Sequence, residues 1–209
     1  MAYLILIRHG KSEWNKLGLW TGWTDIGLAE EGIEEARQAG LAIKDFHIDR
    51  VHVSTLKRAY ETWHEIKNIL GLPHEPVRHP ALNERHYGIH TGKNKWKIKE
   101  EVGEEEFERM RRSWNYPIEG GETMKDVHDR IVPYYQNNIF PELIAGQNVL
   151  VVGHGNNLRA LVKHLEKLSD EEISKLEYGT GEVYCYKLNS TGAIMEKTIR
   201  SVNPEKNKI

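Results

Sequence analysis

Strands that alternate with helices predict an α/β fold here, a three-layer α/β/α sandwich with a mostly parallel central sheet. Two observations carry most of that expectation. Tyr3-Leu4-Ile5-Leu6-Ile7 and Val149-Leu150-Val151-Val152 are apolar without interruption, as strands buried on both faces must be. A third is the helix over residues 56–70, with Ala59, Trp63, Ile66 and Leu70 on one face and a stop at Gly71 and Pro73.

The remaining elements follow in order. Ile33, Ala36, Gly40 and Ile43 recur at helical spacing and predict a helix over residues 30–45. Residues 50–54 read as a strand. Between 74 and 95 the periodicity weakens, and Gly88 and Gly92 indicate irregular loops. Polar helices are expected over 96–102 and 104–114, then a longer one over 123–143 that Pro133 should kink. After the second apolar strand a helix runs through Leu165, and strands over 183–188 and 194–199 complete the sheet. No internal repeat or linker interrupts the 209 residues, so one domain is expected.

Composition narrows the function classes. Hydrophobic residues make up 39% and charged residues 29%, a globular balance. The formal charge of −2 offers no overall attraction to nucleic acid or an anionic membrane, so any anion must be held by local clustering. One cysteine, Cys185, excludes an internal disulfide framework; its strand context predicts a core thiol. The first apolar run is too short for a signal core or a membrane span, which points to a cytoplasmic protein. Metal-ligand spacing, a Walker loop and a dinucleotide loop are all missing from the sequence.

Chemistry is concentrated at two strand ends with one plan, Ile7-Arg8-His9-Gly10 and Val152-Gly153-His154-Gly155. Ligands of open α/β sheets bind at the carboxyl ends of strands, so neighbouring strands would offer both histidines to one crevice. A glycine after each histidine would let the backbone approach a bound group. Neutral imidazole is available at pH 7, which suits His9 as a nucleophile. Arg8 lies beside it, and Arg58 opens a helix directly after a strand; guanidinium groups grip phosphate in two-point fashion. Glu84, in Leu82-Asn83-Glu84-Arg85-His86-Tyr87-Gly88, is the best carboxylate for exchanging a proton with a hydroxyl. Trp20 and Trp23 flank Thr21-Gly22 and read as packing residues.

These segments, with Lys11-Ser12-Glu13-Trp14-Asn15, Leu56-Lys57-Arg58-Ala59 and His154-Gly155-Asn156-Asn157-Leu158-Arg159-Ala160-Leu161, resemble the 2,3-bisphosphoglycerate-dependent phosphoglycerate mutases. Those enzymes form part of the histidine phosphatase superfamily, and the resemblance covers nearly the whole chain. It implies a phosphoglycerate mutase-like fold, a phosphorylated His9, Glu84 as proton donor and acceptor, and His154 beside Arg8 and Arg58 on the phosphoryl group. Ser12, Asn15, Thr21, Gly22, Arg85, Tyr87, Lys95, Arg111, Arg112, Gly155 and Asn156 would line the phosphate and carboxylate sites. Arg111 and Arg112 also complement the macrodipole of a helix that begins with three glutamates. The resemblance further implies 2- and 3-phosphoglycerate as substrates, 2,3-bisphosphoglycerate as primer, no metal, and a monomer or homodimer.

Several features separate the chain from long members of the family. The stretch from Trp114 to Thr123 is about twenty residues shorter than in long mutases, where loops that long often act as lids; short mutases with a similar deletion exist in the family. Glu119-Gly120-Gly121-Glu122-Thr123 is more similar to the phosphatase branch, and the tail after Val202 is short. Lys11 stands where the family usually has glutamate, and 178–182 differs from a proline-containing segment. Two further readings therefore stand beside a mutase: a broad phosphomonoesterase using the same His9, and an inactive phospho-ligand-binding module.

Overall fold

The structure, a computed structural model, describes residues 1–73, 75–201 and 203–204. In chain order it runs β1 (Ala2–Arg8), α1 (Glu13–Lys16), α2 (Glu30–Ala42), β2 (Arg50–Val53), α3 (Lys57–Leu70) and the two-residue β3 (Val77–Arg78). The next elements are α4 (Lys95–Val102), α5 (Glu104–Arg112), α6 (Met124–Tyr134), α7 (Phe140–Ile144), β4 (Val149–Gly153), α8 (Gly155–Glu166) and α9 (Asp170–Lys175). β5 (Val183–Leu188) and β6 (Ile194–Ser201) finish it.

One six-stranded sheet has the order β3-β2-β4-β1-β5-β6. β3, β2, β4 and β1 are parallel; β5 runs antiparallel to β1, and β6 antiparallel to β5. The uninterrupted apolar strands are explained by burial on both faces. Leu4, Leu6, Val149 and Val151 pack against α6 and α8 through Val127, Ile131, Leu158 and Leu161. Ile5, Ile7, Leu150 and Val152 pack on the other face against Ala39, Trp63 and Ile66 of α2 and α3. Each such side chain contributes about 1.5–3 kcal/mol of transfer free energy. For the site, the decisive pairing is β1 with β4, which sets Arg8 opposite Gly153 and leads both His-Gly turns off the sheet side by side.

The structure departs from the expected elements in a few places. The helix expected over 123–143 is divided: a widened π turn, Tyr135–Ile139, separates α6 from α7. Pro133 and Pro141 both lack the N–H that an α-helical ladder needs. α2 stops at Ala42 and α5 at Arg112, both short of the expected ends. α1, β3 and α9 were not expected from periodicity; all are too short to show it. α9 nonetheless carries a capping box, Ser169 with Glu172, that local chemistry alone specifies. The tail after Val202, apart from Asn203 and Pro204, lies outside the described residues.

Gly10 also serves packing. A Cβ there would sit 2.0 Å from the carbonyl oxygen of Gly32, and one on Gly32 would sit 2.0 Å from that of Lys11. The two glycines let the turn after β1 and the first turn of α2 touch backbone to backbone, which fixes the height of His9 above the sheet.

Candidate active site

The pocket at the carboxyl ends of β1 and β4 is lined by Arg8, His9, Asn15, Leu19, Trp20, Thr21, Gly22, Arg58, Glu84, Tyr87, Lys95, Arg111, Arg112, Gly155, Asn156, Arg159, Glu177 and Tyr178. Thirteen of the sixteen residues expected at the site are among them, drawn from segments scattered through the chain. Six basic side chains face two carboxylates there, so a net-acidic protein holds a locally cationic cavity.

His9 is held by its own turn. Its Nδ1 lies 2.6 Å from the carbonyl oxygen of Gly10. A carbonyl can only accept, so Nδ1 carries the proton and Nε2 keeps the lone pair. Burial lowers its pKa well below the usual histidine value, with Arg58 and then Arg8 adding repulsion of a second positive charge. The ring is therefore neutral at pH 7, as a nucleophile requires. His154 lines no wall but meets His9 edge-on, its ring centroid 4.9 Å from that of His9. Its pKa too is well below normal, through burial first and then Arg58 and His9.

His154 is oriented by residues that the sequence reading did not single out. Its Nε2 is 2.8 Å from Ser54 Oγ. Ser54 Oγ donates to Asn83 Oδ1 at 2.8 Å and accepts from the Leu56 N–H, so it accepts from His154 as well. With Nε2–H engaged, Nδ1 is the atom left buried without a hydrogen-bond partner. Arg8 Nε, Trp20 Nε1, Thr21 Oγ1 and Arg159 Nε, on four residues that line the pocket, are likewise buried and unpartnered. Unsatisfied buried donors cost about 1–3 kcal/mol each and mark a place built for an acceptor-rich ligand.

Arg58 is fixed by bonds from its Nη2 to the carbonyl oxygen of Gly22 at 2.8 Å and from its Nη1 to that of Thr24 at 3.0 Å. Burial pulls its pKa down to about 10, and Glu84 works against that drop. Lys95 falls to about 8 through burial and the nearby Arg111 and Arg8. Such depressed cations are relieved when an anion arrives. Glu84 Oε1 accepts from the Arg85 N–H at 2.8 Å and the Asn156 N–H at 3.1 Å. Arg130 braces the same loop, donating to the Glu84 carbonyl at 2.9 Å, and Glu122 pairs with Arg130 at 2.8 Å. Burial lifts the Tyr87 phenol to about 12, so it stays protonated; Asn156 Nδ2 donates to its oxygen at 2.6 Å.

Two expected ligands do not reach the cavity. The Arg85 guanidinium turns away and binds the carbonyl oxygens of Glu122, Met110 and Tyr116, because successive residues of an extended loop point to opposite sides. Ser12 caps α1, accepting from the Asn15 N–H, and so serves the site by placing Asn15. Trp20 is buried and packs edge-on against Tyr87, whereas Trp23 is 43% exposed and donates to the Glu84 carbonyl. Cys185 is the core thiol expected, with burial pushing it up to about 11. Arg159 was within reach of the sequence: it follows Asn156 by three on a helix, hence on the same face, and Arg159 Nη1 donates to Asn156 Oδ1 at 3.0 Å. Among the described residues no group of three or more His, Cys, Asp or Glu is placed to hold a metal ion, and no helix is long and apolar enough to cross a membrane.

Comparison with known proteins agrees with this geometry. Residues 4–199 match the model of the histidine phosphatase superfamily (branch 1). A 2,3-bisphosphoglycerate-dependent phosphoglycerate mutase of Parvibaculum lavamentivorans is 44% identical, covering 93% of this chain and 94% of the relative. One from Chelativorans sp. is 46% identical, covering 94% and 97% respectively. Among solved structures, a mycobacterial glucosyl-3-phosphoglycerate phosphatase in complex with VO3 aligns with a TM-score of 0.80 at 25% identity, covering 95% of this chain and 97% of that one. The chain belongs to the histidine phosphatase superfamily, branch 1, and within it to the 2,3-bisphosphoglycerate-dependent phosphoglycerate mutases.

Proposed function

We propose that this protein interconverts 2- and 3-phosphoglycerate, with His9 Nε2 carrying the phosphoryl group between substrates and 2,3-bisphosphoglycerate priming it. The observation that carries the reading is a neutral, buried imidazole whose Nδ1–H is tied to the Gly10 carbonyl, facing a pocket with Glu84 and six cations. Phosphoryl transfer asks chiefly for positioning and positive charge around the equatorial oxygens. Arg8, Arg58 and the unpartnered Nδ1 edge of His154 meet that need; His154 takes a proton there once a phosphoryl dianion offsets the repulsion from Arg58. Glu84 gives its proton to the oxygen leaving phosphorus and recovers one from the hydroxyl that attacks next. The remaining cations, Lys95, Arg111, Arg112 and Arg159, suit the carboxylate and second phosphate of a bisphosphorylated intermediate. The buried unpartnered donors fit such a polyanion.

Purified protein with 3-phosphoglycerate should isomerise it when trace 2,3-bisphosphoglycerate is present and far more slowly without it. Isomerisation indifferent to the primer, or release of inorganic phosphate outpacing isomerisation, contradicts the proposal. A binding module without chemistry is disfavoured by the nucleophile and proton carrier in one pocket, since binding needs neither.

The Ser54 contact yields its own expectation. Ser54→Ala should lower kcat about 10- to 100-fold, the worth of one hydrogen bond to a charged group, with KM changed much less, and Ser54→Thr should restore most of the loss. Steady-state kinetics of the three proteins decide it. A change confined to KM would make Ser54 a packing residue only.

A further inference from the structure

Arg112, at the last turn of α5, is already occupied. Its Nη1 pairs with Glu177, which follows α9, and its Nε lies 3.1 Å from Glu108 Oε2. Glu108 Oε1 in turn sits 3.2 Å from Arg111 Nη1. Glu177 and Arg112 both line the active-site pocket and both line the open groove beside it, so the pair forms part of the wall between them. Glu177 is only 17% exposed in its side chain and also acts electrostatically on Arg159 and Lys95. Of the two pocket carboxylates, Glu84 is held by backbone N–H groups of its own loop and of α8, so Glu177 alone is spent on a ligand-facing guanidinium.

A guanidinium binds any carboxylate in the same geometry, whether it comes from a ligand or from the protein. A site built around an empty arginine would reject phosphoesters lacking a carboxylate, because a desolvated donor would be left unpaired. We propose that Glu177 is an internal stand-in for the substrate carboxylate, and that it admits carboxylate-free phosphate monoesters of three-carbon alcohols to a second, hydrolytic activity at His9. This rests on the phosphohistidine reading above and extends it to a substrate class. With such an ester, the Arg112–Glu177 pair stays closed. The ester O–P bond breaks as the His9 Nε2–P bond forms, and Glu84 protonates the departing alkoxide. Water then attacks phosphorus, giving a proton to Glu84, and inorganic phosphate leaves as His9 is regenerated. An ester that carries its own carboxylate must first displace Glu177.

The test compares 3-phosphoglycerate with glycerol 3-phosphate, which replaces the carboxylate by a hydroxymethyl group and keeps the rest of the skeleton. Dissociation constants of both ligands are measured by calorimetry for the wild type, Glu177→Gln, Arg112→Gln and the double variant, and phosphate release from glycerol 3-phosphate is measured for the wild type. Glu177→Gln should shift the ratio of the two constants about tenfold in favour of 3-phosphoglycerate. In the Arg112→Gln background the same change should shift the ratio less than twofold. The wild type should release phosphate from glycerol 3-phosphate. An unchanged or reversed ratio, a shift that persists without Arg112, or no phosphate release each overturns the proposal. The ratio is insensitive to the folded fraction, which scales both ligands alike. It also does not depend on isomerisation, so this result and that of the primed mutase assay are read separately.

Discussion

Replacing His9 by alanine should abolish turnover, lowering kcat by at least about 10⁴-fold, and should remove an acid-labile phosphoenzyme altogether. The size follows from the geometry. His9 Nε2 is buried among cations and free of a proton, because the Gly10 carbonyl takes the hydrogen of Nδ1 and leaves Nε2 bare. His154 is a poor substitute, since its ring lines no wall of the pocket and its Nε2 carries the proton given to Ser54 Oγ. The measurement is transfer of label from 2,3-bisphosphoglycerate, quenched in alkali so that a phosphohistidine survives. Label retained on the alanine variant would place the nucleophile elsewhere.

The second large effect concerns Glu84. Glu84→Gln should slow kcat by about 10²- to 10⁴-fold while KM moves little. Both N–H contacts, from Arg85 and Asn156, end on Oε1, and an amide oxygen can accept them equally well. The loop should therefore keep its shape, with Trp23 and Arg130 still bound to the backbone oxygen of residue 84. What disappears is a group that can give and recover a proton. The defect should shrink for an ester whose leaving group departs as a stable anion, such as p-nitrophenyl phosphate. Equal losses on both substrates, or a large rise in KM with kcat unchanged, would make Glu84 a binding residue instead.

Much of this was legible in the sequence because the physics was local. Continuous apolar runs flanked by glycine turns located β1 and β4, and their parallel pairing made neighbours of two histidines 145 positions apart. Other parts needed the folded chain. Arg85 follows Glu84 directly, yet its guanidinium serves three carbonyl oxygens of the neighbouring loops, which no motif reveals. Ser54 reads as the polar end of a strand until His154 is brought over it. Glu177 meets Arg112 across 65 positions of sequence, and neither residue carries a spacing that announces the other. Gly88 gained meaning only from packing: a Cβ there would lie 1.9 Å from the carbonyl oxygen of Glu119, so the short Glu119–Thr123 segment closes directly over the Glu84 loop.

The central claim is that the phosphoryl group on His9 passes to a hydroxyl of phosphoglycerate in preference to water. Isolated, labelled phosphoenzyme chased with excess unlabelled 3-phosphoglycerate tests it most directly. Most of the label should appear in the phosphoglycerate and bisphosphoglycerate pool before any substantial inorganic phosphate; label recovered chiefly as inorganic phosphate at saturating 3-phosphoglycerate would contradict transfer to the hydroxyl.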